Sequence, residues 1–168
     1  KRIVNLPSLG QIPSVKKSNR HACPLITREK SNAGLVESVR LMRIRVEKVM
    51  EEAGKKVLLV SSAIPGEGKT TISINLATSL AQKGKRVLLI DCDLRNPSVT
   101  KALQLSPQNS MADYMQGRVT IKDMIQNTTQ ENLHVISGGT GIGNGVFVEL
   151  QHERTMRLVA VAKKAYDY

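Results

Sequence analysis

The sequence predicts an α/β fold in which a mostly parallel sheet is flanked by helices. Two apolar runs, Val57–Val60 and Val87–Ile90, have the length and composition of buried central strands. A glycine-containing loop and a helical pattern lie between them, so strand, loop, helix and strand follow one another. Such a connection between parallel strands is right-handed. We therefore expect both strands to end at one edge of the sheet, where ligands bind in these folds.

A long helix is predicted before this unit, from about Leu35 to Ala53. Ser31 or Asn32 can cap its start, and Gly54 closes its end. Apolar residues recur at spacings of four and three and form one stripe, made of Leu35, Val39, Met42, Val46, Val49 and Ala53. Charged residues recur on another face. Two interpretations stay open for that face: a solvated surface on a helix packed against the sheet, or a surface for self-association.

The loop after the first predicted strand has the P-loop pattern, with alanine where glycine often stands. Its glycines allow backbone N–H groups to point at phosphate oxygens, and the helix that follows adds the positive end of its dipole. We predict that Lys69 contacts the β- and γ-phosphates and that Thr70 binds Mg²⁺. The predicted residues of the nucleotide site are Ala63, Pro65, Gly66, Glu67, Gly68, Lys69, Thr70 and Thr71.

The helix after the loop is predicted from Lys69 to Lys83 and ends at Gly84. The second strand follows and ends in Asp91 and Asp93, which the topology brings beside the P-loop. Two aspartates spaced in this way can support Mg²⁺ and accept a proton from an attacking hydroxyl. The alternative is that they only cap the next turn, as aspartate often does.

The remainder of the chain predicts three short helices and one more strand. The helices are Val99–Leu103, Ser110–Gln116 and Thr120–Gln126, and the strand is Leu133–Ile136 with His134 as a surface or strand-end residue. Residues 138–145 read as a mobile glycine-rich loop, and Val146 to about Ala165 as a helix. Tyr166–Tyr168 resembles the start of another strand. No apolar strand after Asp93 ends in aspartate, so we expect the Walker B strand to be missing and the site to be incomplete.

Charge and composition narrow the possible partners. Residues 1–30 hold seven basic residues and one acidic residue, and three of the six prolines. This segment is expected to be an extended linker, suited to nucleic acid, an anionic membrane surface or solvent. No aromatic residue precedes Tyr114, so base stacking is unsupported and no nucleic-acid partner is expected. No apolar run approaches the ~18 residues of a membrane span.

The two cysteines indicate the redox compartment, and the first residue concerns the extent of the chain. Cys23 and Cys92 are isolated and have neither metal spacing nor a disulfide pattern, which indicates a reduced compartment. The chain starts with Lys1 rather than methionine, and we expect it to be a piece of a longer protein.

Two motifs together resemble the cytoplasmic domain of a bacterial tyrosine kinase (BY-kinase) of the capsular and exopolysaccharide type. They are AIPGEGKTT at 63–71 and VLLIDCDLRNPS at 87–98, the latter similar to the family's Walker A′ motif. Residues 37–43 match the pattern E-x-x-R-x-x-R, which in the family builds a ring-shaped oligomer. The resemblance implies that Glu37, Arg40 and Arg43 mediate self-association, which favours that interpretation of the helix.

The resemblance also implies a reaction and a cellular setting. Mg-ATP is the phosphoryl donor, Lys69 and Thr70 hold it, Asp91 is the base toward a tyrosine hydroxyl, and Asp93 supports Mg²⁺. Arg95 matches the motif without an assigned role. Residues 5–13 resemble the segment after the last membrane helix of members fused to a polysaccharide co-polymerase domain. The implied location is the cytoplasmic face of the bacterial inner membrane, with that domain as a fused or separate partner.

The chain departs from the family at two places. Residues 141–145 replace a proline-rich loop before Glu149-Leu150, and the C-terminal tyrosine cluster of the family is absent, so Tyr166 and Tyr168 are read as strand residues. We divide the chain into a basic juxtamembrane-like linker, 1–30, and an incomplete P-loop kinase domain, 31–168. Two other functions stay open: a partition or septum-positioning ATPase, disfavoured by Ile64 where those proteins carry lysine, and an ATP-gated assembly module without kinase activity.

Overall fold

A computed structural model describes residues 8–14, 25–27, 33–106, 108–139 and 150–168. The chain divides into two compact units, 1–55 and 56–168, which are described separately. The predicted linker 1–30 and the predicted cap residues Ser31 and Asn32 lie largely or wholly outside the described residues. The glycine-rich loop lies outside them from residue 140 onward. In the described part of the chain, no helix is both long enough and apolar enough to cross a bilayer.

The first unit contains one long helix, α1, Ala33–Glu52. It begins two residues before the predicted start and ends one residue before the predicted end. Gly54 follows with a φ of 61°, the left-handed conformation that glycine adopts without strain. The buried residues are Leu35, Val39, Met42, Arg43, Val46 and Met50. The predicted stripe is therefore right as far as Val46. Met50 replaces Val49, which is exposed, and the predicted Ala53 is exposed and lies beyond the end of the helix. Leu9 of the preceding segment accepts a hydrogen bond from Arg45 through its carbonyl oxygen, at 3.3 Å.

The prediction of a strand at Val57–Val60 is wrong for this structure. Residues 55–60 form no strand, and Val57, Leu58 and Leu59 are exposed, Leu59 to 83%. A strand exists through the ladder of hydrogen bonds to its neighbour. Among the residues described, no segment pairs with 57–60. The apolar run therefore has the composition of a strand but lacks a neighbouring strand to pair with.

The sheet of the second unit has three strands in the order β1-β3-β2 among the described residues. β1 is Val87–Ile90, β2 is Ile125–Asn127 and β3 is Leu133–Ile136. β1 and β3, both predicted with these bounds, pair in parallel with Val87 opposite Leu133. β2 pairs antiparallel with β3 and was not predicted, since its sequence, Ile-Gln-Asn, is too short to show a period.

Helices cover both faces of this sheet. α2, Lys69–Ala81, packs against β1 and β3 and is buried throughout residues 74–81. Leu88, Ile90 and Ile136 alternate to the opposite face and join a separate core cluster. That cluster draws on α4, α5 and α6 through Met111, Tyr114, Met115, Met124 and Leu158. The helix–sheet–helix layering confirms the predicted α/β class.

The helices after β1 are shorter than predicted, apart from α3, Val99–Leu103. α4 is Met111–Met115, α5 is Ile121–Met124 and α6 is His152–Ala165. α4 and α5 each begin with a capping box, Ser110 with Asp113 and Thr120 with Asp123. The Thr120 hydroxyl and its backbone N–H bond the Asp123 carboxylate and lower the pKa of Asp123. The predicted start of the last helix, residues 146–149, lies outside the described residues.

Candidate functional site

The phosphate-loop segment, residues 63–68, is exposed except at Gly68 and leads directly into α2. Gly66 and Gly68 have φ angles of 85° and 96°, in the left-handed region. Any other residue would be strained there, although a Cβ atom would meet nothing within 4 Å at either position. The strain, rather than a clash, therefore explains why the turn into α2 needs glycine. α2 begins directly after this loop at Lys69, and a helix N-terminus that follows a glycine turn is an arrangement that binds phosphate.

Lys69 is held at the base of this loop by a serine. Its Nζ donates a hydrogen bond to Ser62 Oγ at 2.8 Å, and Ser62 Oγ donates to the carbonyl oxygen of Ile64 at 2.9 Å. The Ile64 N–H donates to Glu67 Oε2 at 3.3 Å. The loop thus supplies its own acceptor for the ammonium group and its own acceptor for one of its N–H groups. A phosphate that binds here would offer Lys69 a charged acceptor in place of the neutral Ser62 hydroxyl.

Asp91 is buried and accepts three backbone hydrogen bonds. Oδ1 accepts from Asp93 N at 3.1 Å, and Oδ2 accepts from Ser98 N at 2.9 Å and Val99 N at 3.1 Å. The carboxylate therefore caps the start of α3, which is the capping alternative that the sequence left open. A carboxylate has about four lone-pair sites, so one site, on Oδ1, is left for another donor.

Asp93 lies in a more open setting. It is exposed, and its Oδ1 accepts one hydrogen bond, from Asn96 N at 2.9 Å. This closes the turn that carries Asn96 and Pro97. The hydrogen bond from Asn96 uses Oδ1 of Asp93 and not Oδ2. Because Asp93 is also exposed, whereas Asp91 is buried, Asp93 is the better placed of the two to meet water or a cation.

Thr70, predicted to bind Mg²⁺, contacts the loop that follows β1. Its Oγ1 lies 2.7 Å from Ser98 Oγ, and either hydroxyl can be the donor. Sequence reasoning did not identify Ser98 or Ser62 as part of the site. Both serines lie outside helices and strands, and a serine there has no sequence signal that distinguishes a site residue from an ordinary loop residue.

One cleft brings the predicted catalytic residues together. It measures about 810 Å³ and is lined by Lys69, Thr70, Asp91 and Asp93, along with Ser98. The same cleft continues between residues 57–61 and β1, where Val57, Leu58, Leu59, Leu89 and Ile90 line it. Among the described residues no three His, Cys, Asp or Glu side chains gather as a metal cluster. Thr70 and Asp93 supply oxygen atoms of the kind that can hold Mg²⁺ together with phosphates and water.

The edge of β1 beside this cleft is already partly paired. Leu88 N donates to the carbonyl oxygen of Tyr168 at 3.0 Å, and Asp167 N donates to that of Arg86 at 2.8 Å. Residues 166–168 therefore run alongside the start of β1, as a strand would. The rest of this edge, toward Asp91, faces the apolar part of the cleft.

Tyr166 is enclosed rather than available as an acceptor. Only 9% of it is exposed, and its hydroxyl lies 2.8 Å from His134 Nδ1. Burial raises the pKa of Tyr166, opposed by the nearby Arg86 charge. The rings of His134 and Tyr166 also pack edge to face, so each residue has a structural contact within this unit.

Cys92 is a free thiol on the cleft wall. Desolvation of the sulfur, followed by the Asp91 charge, raises the pKa of Cys92. A raised pKa keeps the thiol protonated at neutral pH, and the thiol is then a poor nucleophile.

The three residues predicted to mediate self-association lie on α1. Glu37 and Arg40 are exposed and form an ion pair at 2.7 Å, whose hydrogen bond lowers the pKa of Glu37. Arg43 differs: its side chain is 8% exposed and pairs with Glu47. Its Nε is buried and finds no hydrogen-bond acceptor among the described residues. Two of the three residues are thus open to a neighbouring molecule, and the third is enclosed.

Comparisons with known proteins identify a family and a set of relatives. Residues 55–168 match the family described as "AAA domain". A putative tyrosine-protein kinase in the cps region of Klebsiella pneumoniae is 36% identical over 79% of this chain and 18% of its own length. The tyrosine-protein kinase YwqD of Bacillus subtilis is 35% identical over 78% of this chain and 55% of its own.

A solved structure agrees over nearly the whole chain. The BceF tyrosine kinase domain superposes with a TM-score of 0.82 at 27% identity, covering 97% of this chain and 69% of that one. The predicted resemblance to bacterial tyrosine kinases is confirmed at the level of fold and sequence. The chain nevertheless spans only about a fifth of the Klebsiella relative and about half of the Bacillus relative.

Proposed function

Because the chain belongs to the AAA domain family and resembles bacterial tyrosine-protein kinases, we propose that it is the ATP-binding part of a protein tyrosine (auto)kinase. One observation carries the proposal: the phosphate loop with Lys69 and Thr70 shares a cleft with Asp91 and Asp93. Phosphoryl transfer needs a loop that holds the triphosphate and a nearby carboxylate that can accept a proton, and this cleft contains both.

In the proposed reaction, a tyrosine oxygen attacks the γ-phosphorus of ATP while the bond to the β–γ bridging oxygen breaks and ADP leaves. Lys69 turns from Ser62 to the β- and γ-phosphates, and the N–H groups of residues 66–70 surround them. The hydroxyl proton passes to the remaining site on Asp91 Oδ1. Thr70 and Asp93 are the residues that would hold Mg²⁺, which neutralises charge that develops on the phosphates.

The proposed site needs one more strand. The edge of β1 is partly paired at Leu88, the apolar residues 57–59 are exposed, and the cleft runs between the two. An apolar strand inserted there would satisfy both backbones and bury both apolar surfaces. If it ended in aspartate, that carboxylate would arrive beside Thr70 and Asp91, at the carboxyl end of β1.

The test compares the 168-residue chain with the full product of its gene, each incubated with Mg-ATP. We expect both proteins to bind ATP, and phosphotyrosine to form in the full product, measured by mass spectrometry and by transfer of labelled γ-phosphate. Release of inorganic phosphate without phosphotyrosine would favour the partition-type ATPase. A change of assembly mass with ATP, with neither product, would favour the assembly module.

We also propose that α1 mediates a homo-oligomer, with Glu37 and Arg40 in contact with a neighbouring copy. Glu37→Ala combined with Arg40→Ala is expected to lower the sedimentation mass at a fixed protein concentration, because an exposed ion pair is free to exchange partners between molecules. Lys48→Ala with Glu52→Ala removes another exposed pair of the same helix and is the matched control. Equal masses for both double variants would contradict the role of Glu37 and Arg40.

The relatives' names support a proposal for the partner and the location of the protein. We propose that the kinase regulates polymerisation or export of capsular or exopolysaccharide together with a co-polymerase membrane domain, fused or separate. The relatives include a kinase of a cps region and a succinoglycan biosynthesis transport protein from Rhizobium meliloti. The basic segment 1–30 would then lie near anionic lipid headgroups on the cytoplasmic face of the bacterial membrane.

A further inference from the structure

Ser98 occupies the helix-capping position of α3 without using its side chain as a cap. It is the N-cap residue, yet its hydroxyl makes no capping hydrogen bond. The N–H groups of Ser98 and Val99 are satisfied by Asp91 Oδ2 instead. The serine side chain is thereby released from the role that serine usually has at this position.

The released hydroxyl lies 2.7 Å from Thr70 Oγ1. A hydroxyl has one hydrogen to donate and two lone pairs. When a hydroxyl oxygen binds a cation, its hydrogen must point away from the cation, and an acceptor on that side fixes the orientation. Ser98 Oγ is such an acceptor, on the wall of the same cleft.

We propose that Ser98 is a positioning residue for the metal: it accepts the Thr70 hydrogen and so directs a Thr70 lone pair toward Mg²⁺. This inference rests on the proposed binding of Mg-ATP. Ser98 also donates its backbone N–H to Asp91 Oδ2 and so joins Thr70 to the aspartate that follows β1. Substitution of a residue that hydrogen-bonds a metal ligand and orients it generally lowers metal affinity by about 10- to 100-fold.

The effect of Ser98 should appear only in the part of ATP binding that depends on Mg²⁺. Lys69 donates its hydrogen bond to Ser62, whereas the Ser98 hydroxyl pairs with Thr70. Ser98→Ala keeps the backbone N–H, so Asp91 keeps its hydrogen bonds and α3 keeps its cap. The variant therefore removes the Thr70 contact and leaves the surrounding structure in place.

Calorimetric titration of ATP into the 168-residue chain, with excess Mg²⁺ and with EDTA, tests the proposal. For Ser98→Ala we expect the gain in affinity that Mg²⁺ gives to fall about 10- to 100-fold, with the affinity in EDTA unchanged. Ser98→Thr retains a hydroxyl and should restore most of the gain. In a Thr70→Ala background, Ser98→Ala should have no further effect, because the two residues act as one unit.

Two outcomes would overturn the role of Ser98. One is an unchanged Mg²⁺ gain in Ser98→Ala, and the other is a loss in the Thr70→Ala background as large as in the original chain. An original chain that binds no ATP in either buffer would instead refute the proposed function. Thermal unfolding of each variant without nucleotide separates these results from loss of fold.

Discussion

Lys69→Met is expected to weaken ATP binding by the 168-residue chain about 10- to 100-fold, the range for one lost hydrogen bond to a charged group. Methionine keeps the length and much of the apolar volume of lysine but has no ammonium group to meet the phosphates. Among the residues that the structure describes, the side chain of Lys69 bonds only to the Ser62 hydroxyl, so its loss costs the fold little. Calorimetric titration of ATP measures the effect, and phosphotyrosine in the full gene product is expected to disappear.

The control for this variant lies just beyond the same helix. Lys83→Met makes the same chemical change at an exposed residue after the end of α2, far along the helix from the phosphate loop. It should leave ATP affinity within about twofold of the original, since a distant exposed charge is screened by solvent. Equal losses for the two variants would mean a general effect of charge, and full phosphotyrosine in Lys69→Met would refute the P-loop assignment.

Asp91→Ala is expected to destabilise the chain by about 2–4 kcal/mol, because three backbone N–H groups lose their acceptor at once. The N–H of Val99 is buried, and water cannot easily replace the carboxylate there. Urea unfolding without nucleotide measures the free energy of unfolding. For a chain of this size the thermal midpoint should also fall, by about 2–4 °C for each kcal/mol.

Asp93→Ala is the matched control for stability. It removes one hydrogen bond in an exposed turn and should cost about 0.5–1 kcal/mol. The two substitutions are therefore expected to have different effects. Asp91→Ala should mainly lower stability, and Asp93→Ala should mainly change the Mg²⁺ dependence of ATP binding. Equal stability for Asp91→Ala and Asp93→Ala would contradict the capping role of Asp91.

A milder change tests the proposed base. Asp91→Asn keeps the shape of the side chain and one acceptor oxygen but cannot take up a proton at neutral pH. In the full gene product, phosphotyrosine formation should be lost while Mg-ATP binding is largely kept. If Asp91→Asn loses binding and transfer to the same extent, Asp91 acts through the structure of the cleft and another group takes the proton.

Much of the fold was predictable because its signals are local. The bounds of β1 and β3 and of α3 agree with the sequence pattern, and α2 begins at the predicted residue. Apolar runs bounded by glycine or polar turns carry this information without reference to the rest of the molecule. The predictions failed where the outcome depends on a distant partner: at 57–60, which has no ladder among the described residues, and at β2, which owes its form to pairing with β3.

The residues of the candidate site were likewise predictable only where local sequence determines them. The residue types and spacing of the phosphate loop, and the aspartates after β1, could be read directly, because their chemistry depends on the order of residues along the chain. The sequence could not say whether Asp91 caps a helix or faces a ligand. The structure gives it three backbone donors and leaves one acceptor site, so capping and proton uptake are compatible.

The sequence by itself therefore determined the α/β class, the phosphate loop and the resemblance to bacterial tyrosine kinases, since each depends on short, ordered patterns. Only the tertiary structure decided that Ser98 meets Thr70, that Ser62 holds Lys69, and that an apolar cleft runs beside β1. Contacts between residues that are far apart in the chain, such as the 28-residue separation of Thr70 and Ser98, arise when the sheet and its helices pack. No local pattern encodes them.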